Sequence, residues 1–178
     1  KSIELYRRYP NFNANKYRDD MTKKLSKEFY NFDSRELEGD FKYSMKLVKE
    51  GKYVTIRNSG RKVLINDVSG VLFLEDIDEV ENIDDIIGLE KFTDLKYINL
   101  NTGTIKEIKG LEKFVNLTHL EISGPFTEIK GLDNLTNLTY LHLNGDFKEI
   151  KGLDNLVNLK NLHLRGDFKE IKGLGNLV

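Results

Sequence analysis

The nonapeptide GDFKEIKGL occupies residues 145–153 and recurs unchanged at 166–174. Related endings, FTEIKGL closing at Leu132 and TIKEIKGL closing at Leu111, carry the same spacing towards the N-terminus. Aligned on the closing glycine, the units run 89–110, 111–131, 132–152 and 153–173, and residues 174–178 open another. A fixed period of about 20 to 29 residues signals a solenoid, because one unit cannot bury its apolar side alone and must stack on its neighbours. The repeat therefore limits the fold more tightly than composition does.

Within each unit the apolar positions keep one order, as in Leu132, Leu135, Leu138, Leu141, Leu143, Phe147 and Ile150. The LxL core alternates as a short strand does, with every second side chain on one face. Gly103, Gly124, Gly145 and Gly166 mark the turn out of it. This order closely resembles the leucine-rich repeat, and its wording is similar to the short-repeat class that includes internalins and phosphatase-regulating leucine-rich-repeat proteins. The resemblance covers about half the chain, from Leu89 onward. It implies an α/β solenoid with a parallel, concave β-sheet. One feature departs from that family, which places an Asn after the LxL strand. Here the segments read LNTGTI, ISGPF, LNGDF and LRGDF, and three of the four units are one residue shorter in this turn. Glycine conformational freedom is expected to replace the amide, with Phe126, Phe147 and Phe168 stacked inside as a spine.

Three organisational zones follow from charge. Residues 1–66 carry 16 basic and 9 acidic side chains, 67–88 carry 8 acidic and no basic ones, and 89–178 carry 12 of each. Periodicity predicts an amphipathic helix from Asn15 through Tyr17, Met21, Leu25 and Phe29. A second helix begins after Asp33 or Ser34, buries Leu37, Phe41, Met45 and Val48, and ends at Gly51. KYVTIRNSGRKVLI alternates about Asn58-Ser59-Gly60 and reads as a hairpin. Residues 1–66 are thus expected to form a small α+β unit that caps the solenoid, since terminal repeats need a polar cover. Residues 67–88 read as an acidic, degenerate first repeat, with Ile77, Val80, Ile83 and Ile86 set among the acids. A calcium loop is disfavoured because no glycine between Gly70 and Gly88 supplies the sharp turn an EF-hand needs. Residues 89–178 hold four complete repeats and a truncated one, which suggests that the array continues or packs end to end in the native protein.

Side chains flanking each LxL point away from the core and, on stacking, form three columns. The first is Tyr97, His119, Tyr140, Asn161; the second Asn99, Glu121, His142, His163; the third Asn101, Ser123, Asn144, Arg165. All three histidines of the chain fall on this face. Imidazoles beside a carboxylate suit zinc, yet a line of side chains on a sheet converges poorly on a tetrahedral point. No metal or cofactor is expected. Partner recognition fits better, because Tyr, His, Asn and Arg offer donors, acceptors and amphipathic area on a rigid platform. The expected partner is a protein or peptide held by Tyr97, Asn99, His119, Glu121, Tyr140, His142, Asn161, His163 and Arg165. Glu107, Glu128, Glu149 and Glu170 run beside Lys109, Lys130, Lys151 and Lys172 as a self-neutralising lattice.

No phosphate loop, paired-carboxylate pocket or nucleophile–base pair stands out, so no enzyme is expected. The alternative is a nucleic-acid-associated protein using Lys16, Lys23, Lys24 and Lys27, although no recognition helix or stacking motif accompanies them. No segment approaches a membrane span. The absence of cysteine and of a visible signal peptide favours a cytoplasmic setting, and the full-length form is expected to be a monomer. Asn116, Asn134 and Asn137 begin N-x-T sequons but are expected to serve the return turn of the repeat.

Overall fold

In the computed structural model, the described residues are 23–24, 27–29, 46–65, 70–75, 79–172 and 174–175. The principal sheet contains β3 (Val71–Glu75), β5 (Tyr97–Asn101), β6 (His119–Ser123), β7 (Tyr140–Asn144) and β9 (Asn161–Arg165). All four neighbouring pairs are parallel and in unbroken register, in the order β3-β5-β6-β7-β9. Parallel neighbours need a crossover between them, so each strand belongs to one coil of a parallel β-solenoid. A second, two-stranded parallel ladder, β8 (Glu149–Ile150) with β10 (Glu170–Ile171), forms where two coils return.

Sequence dictates the path of each coil. In β6 and β7 the alternate residues Leu120, Ile122, Leu141 and Leu143 are buried, while His119, Glu121, Tyr140 and His142 lie on the other face. Beyond the closing glycine, apolar residues recur every third position, as in Leu132, Leu135 and Leu138. The backbone there makes successive three-residue turns: Leu135 N–H donates to Leu132 O and Leu138 N–H to Leu135 O, each at 2.9 Å. Three residues per turn keep i and i+3 on one side, which is why LxxLxxL delivers three leucines to one core. Coils 111–131 and 153–173 repeat these turns through Leu111, Phe114 and Leu117 and through Leu153, Leu156 and Leu159.

Two inter-coil ladders reinforce the backbone. Phe126, Phe147 and Phe168 stack inside at centroid spacings of 5.7 and 5.9 Å, with ring planes 12° and 2° apart, as the spacing of phenylalanines predicts. An amide ladder also exists, but before the strand and not after it. Asn137 Nδ2 donates to Val115 O and Asn158 Nδ2 to Thr136 O, each at 2.8 Å and one coil back. Asn116 Nδ2 similarly reaches Asp94 Oδ1 at 3.2 Å. Two of the three sequon asparagines, Asn116 and Asn137, are thus engaged in the return turn.

The glycine after each strand requires a different account from conformational freedom. Only Gly103, in the longer unit, is left-handed there, with φ +73°. At Gly124 an added Cβ would lie 2.2 Å from Ile105 O, at Gly145 2.6 Å from the Phe126 ring, and at Gly166 2.8 Å from Gly145 O. In the shorter turn the chain runs against the preceding coil, and glycine is needed for space. Left-handed freedom is used instead at the repeat-closing Gly110, Gly131 and Gly152, where φ is +83°, +75° and +79°.

N-terminal to the coils, β1 (Tyr53–Ile56) and β2 (Lys62–Leu64) form the antiparallel hairpin, and β4 (Ile86–Ile87) pairs with β1 on its other edge. Val54, Ile56, Val63 and Ile65 share one continuous core with the leucines of the coils. Val80, Ile83 and Ile86 of the acidic segment are buried in it as well; Ile77 lies outside the described residues. Some of the acids are structural. The Asp85 carboxylate accepts the Glu81 and Asn82 N–H groups at 3.2 and 3.0 Å and lies 3.6 Å from Arg57 Nε. Of the first expected helix, Lys23, Lys24, Lys27 and Glu28 are helical and Phe29 is buried, while Tyr17, Met21 and Leu25 lie outside the described residues. In the second, residues 46–49 are helical, but Leu47 is buried and Val48 only partly so. Leu37, Phe41 and Met45 lie outside the described residues.

Gly124→Ala is expected to destabilise the chain by about 1–3 kcal/mol or to prevent folding, and Gly124→Asn will do no better. Gly152→Ala should cost about 1–2 kcal/mol through its left-handed backbone alone, since the nearest atom to its Cβ is 3.5 Å away. Gly152→Asn should recover part of that loss, because Asn tolerates this region. Urea denaturation distinguishes the two roles, and an Asn rescue at both positions would contradict the division.

Candidate functional site

Because the strands are in register, the outward columns fall as the sequence places them: Tyr97 opposite His119, His119 opposite Tyr140, Tyr140 opposite Asn161. The second column aligns Asn99, Glu121, His142 and His163, and the third Asn101, Ser123, Asn144 and Arg165. β3 adds Val71, Phe73 and Glu75 at the corresponding backbone positions. The bounds of this strand were not drawn from sequence, although VLFLE is a short continuous apolar run within the segment that reads as a degenerate first repeat.

Coil spacing turns the first column into a ladder of rings. Tyr97 and His119 stack at 5.9 Å and His119 and Tyr140 at 5.7 Å, with planes 29° and 19° apart. Where Asn161 interrupts the column, Tyr140 meets His163 of the second column at 5.6 Å, tilted by 39°. His163 in turn meets His142 edge-on at 6.0 Å. Such pairs contribute about 0.5–1.5 kcal/mol each beyond area burial, so the ladder stiffens the face that it decorates. Stacked rings cover one another's faces.

Glu121 ties the first two columns together. Its Oε1 accepts the Tyr97 hydroxyl at 2.7 Å, and its Oε2 lies 3.9 Å from His142 Nδ1. Burial, followed by this hydrogen bond to a carboxylate, pushes the Tyr97 phenol up to about 12. His119 Nδ1 lies 3.0 Å from Thr118 Oγ1, whose own hydrogen points to Lys96 O at 3.0 Å. Thr118 Oγ1 thus links the His119 ring to the backbone of the preceding coil.

The predicted residues are not equally accessible. Asn161, His163 and Arg165 are exposed, and Tyr97, His119, Glu121, Tyr140 and His142 are half-buried. Asn99, by contrast, is only 2% exposed and its Oδ1 accepts the Asn101 N–H at 2.9 Å. It shapes the face from below and offers a partner almost nothing.

On the other edge, Lys109 pairs with Glu107 at 2.6 Å, Lys151 with Glu149 at 3.4 Å, and Lys130 with Glu128. The bond from Lys130 holds the Glu128 carboxyl below the usual range. These pairs form within a coil, are fully exposed, and neutralise each other. A cleft of about 310 Å³ between hairpin and coils is lined by Arg57, Asp84, Gly88, Leu89, Glu90 and Lys113 among others. Arg57 there already donates to Asp84 O at 2.9 Å. Lys23, Lys24 and Lys27 are exposed, and Lys16 lies outside the described residues. Among the described residues, no group of three or more His, Cys, Asp or Glu side chains is placed to hold a metal ion, and no helix is long and apolar enough to cross a membrane. No protein-family model matches the chain, and comparison with curated proteins finds no match.

The raised Tyr97 phenol has a definite linkage sign. A folded value above the unfolded one gives stability that is present below about pH 10, the ordinary tyrosine value, and lost as pH rises towards about 12. Urea denaturation across that interval should therefore show a smaller loss of stability in Tyr97→Phe than in the parent chain. An identical loss in both would place the phenol outside the network.

Proposed function

We propose that this chain is a leucine-rich-repeat interaction module that binds a protein or peptide across the open face of its parallel sheet, acting by recognition and not by catalysis. The reading is supported by one strand per 21- or 22-residue coil, by the LxxLxxL return, and by residue spacings such as Thr118 to Lys96 and Thr139 to Thr118. The observation that carries the binding assignment is the ring ladder Tyr97, His119, Tyr140, His163 with Glu121 beside it. A preorganised row of aromatic edges is costly to place on a surface and gives a partner rigid anchors with donors and acceptors already aimed. The hairpin, in this reading, serves as a cap whose β1–β4 pairing closes the first coil.

The test is a selection of random dodecapeptides on the immobilised chain. Tyr140→Ala and His142→Ala should weaken the recovered binders by about 2 kcal/mol or more, as truncation at a hot spot does. Glu149→Ala and Lys151→Ala, on the charged edge, should leave affinity unchanged, and all four variants should remain folded. Equal losses from both sides would move recognition away from the open face.

A further inference from the structure

Resting on the peptide-binding reading, we infer that the partner segment is extended and acidic, and that its carboxylates dock on the β7–β9 half of the open face. Charge divides this face. In register, β7 and β9 present Tyr140 with Asn161, His142 with His163, and Asn144 with Arg165, and none of the six is acidic. The nearest outward acid, Glu121, is already approached by Tyr97 and His142. Arg165 is exposed and has no ion pair among the described residues. The other charged groups nearby are flanking: Lys160 just before β9, and Asp146 and Asp167 beyond the turns at Gly145 and Gly166. A guanidinium fork with two neighbouring imidazoles is a donor set for carboxylates.

Spacing points to an extended chain running from coil to coil. An extended peptide sends alternate side chains to one side about 6.7 Å apart. Rings of one column on successive coils lie 5.7 to 6.0 Å apart, so one side chain of such a peptide meets roughly one coil. A single-stranded nucleic acid fits less well. Bases bind aromatic residues through bare ring faces, and the faces of His119 and Tyr140 are occupied by their neighbours in the ladder.

Acidification should strengthen the docking. Imidazole gains its charge near pH 6.5 in general, whereas Asp and Glu carboxylates stay ionised down to about pH 4. Between those limits the β7–β9 half becomes more positive while the partner stays negative.

Fluorescence anisotropy tests this with four labelled probes: dodecapeptides alternating Glu with Thr, Lys with Thr and Gln with Thr, and a thymidylate dodecamer. The Glu–Thr peptide should bind most tightly, about three- to tenfold better at about pH 5.5 than at about pH 7.5. Arg165→Ala should weaken it by about two- to fivefold, and Glu149→Ala should not. If the Gln–Thr or Lys–Thr peptide binds equally well and Tyr140→Ala still abolishes that binding, the acidic assignment falls and the peptide reading stands. Tighter binding of the thymidylate, or weaker binding of the Glu–Thr peptide at low pH, would also overturn it. Binding that ignores both Tyr140→Ala and Arg165→Ala would remove the acidic assignment and the open-face reading together.

Discussion

Each coil must lie directly against the one before it, and the tightest point of that contact is the glycine turn after the strand. At Gly124 even one methyl group would enter the space of the Ile105 backbone. Holding the turns this close fixes the pitch of the stack, and the pitch then acts on every side chain repeated at the same position. Inside, it brings Phe126, Phe147 and Phe168 into contact at 5.7 and 5.9 Å. Outside, it brings Tyr97, His119 and Tyr140 together at 5.9 and 5.7 Å. The buried spine and the exposed ladder are thus two expressions of one backbone repeat, and a core that loosened would disorder the face.

What could be read from sequence was whatever depends on periodicity. The three columns, the phenylalanine spine and the inward leucines all follow from counting by two in a strand and by three in the return, and register preserves that count from coil to coil. Properties set by contact between coils were less legible. Glycine looks the same in a sequence whether it supplies a left-handed backbone, as at Gly152, or merely lacks a Cβ, as at Gly145. Asn99 occupies an outward position by parity, yet is only 2% exposed, because burial on a sheet face is decided by neighbouring coils and not by alternation. The bounds of β3 were not legible within the degenerate first repeat, because VLFLE is a continuous apolar run followed by acids in place of an EIKGL ending. The amide ladder through Asn137 and Asn158 was similarly displaced, since an inter-coil hydrogen bond can close a turn from either side of the strand.

The two sides of the coil differ in how they dispose of polarity. Along the Glu–Lys edge, neighbours within each coil neutralise one another at full exposure, which leaves little unsatisfied chemistry for a ligand. On the open face Glu121 organises its surroundings instead, drawing the Tyr97 hydroxyl and His142 towards it. That leaves the half-buried rings and the exposed Arg165 on a platform whose side chains are held by stacking. Preorganisation of this kind lowers the conformational entropy that binding would otherwise cost, and it is the physical reason for proposing recognition on this side.

All three histidines of the chain, His119, His142 and His163, belong to that face. Their imidazole resonances in a ¹H–¹³C spectrum are therefore a small set of native probes for the site. Titration with a selected peptide should move all three signals with one common saturation curve. A peptide that binds the chain while leaving the three imidazoles unmoved would contradict the account, because it would show the recognition surface to lie elsewhere.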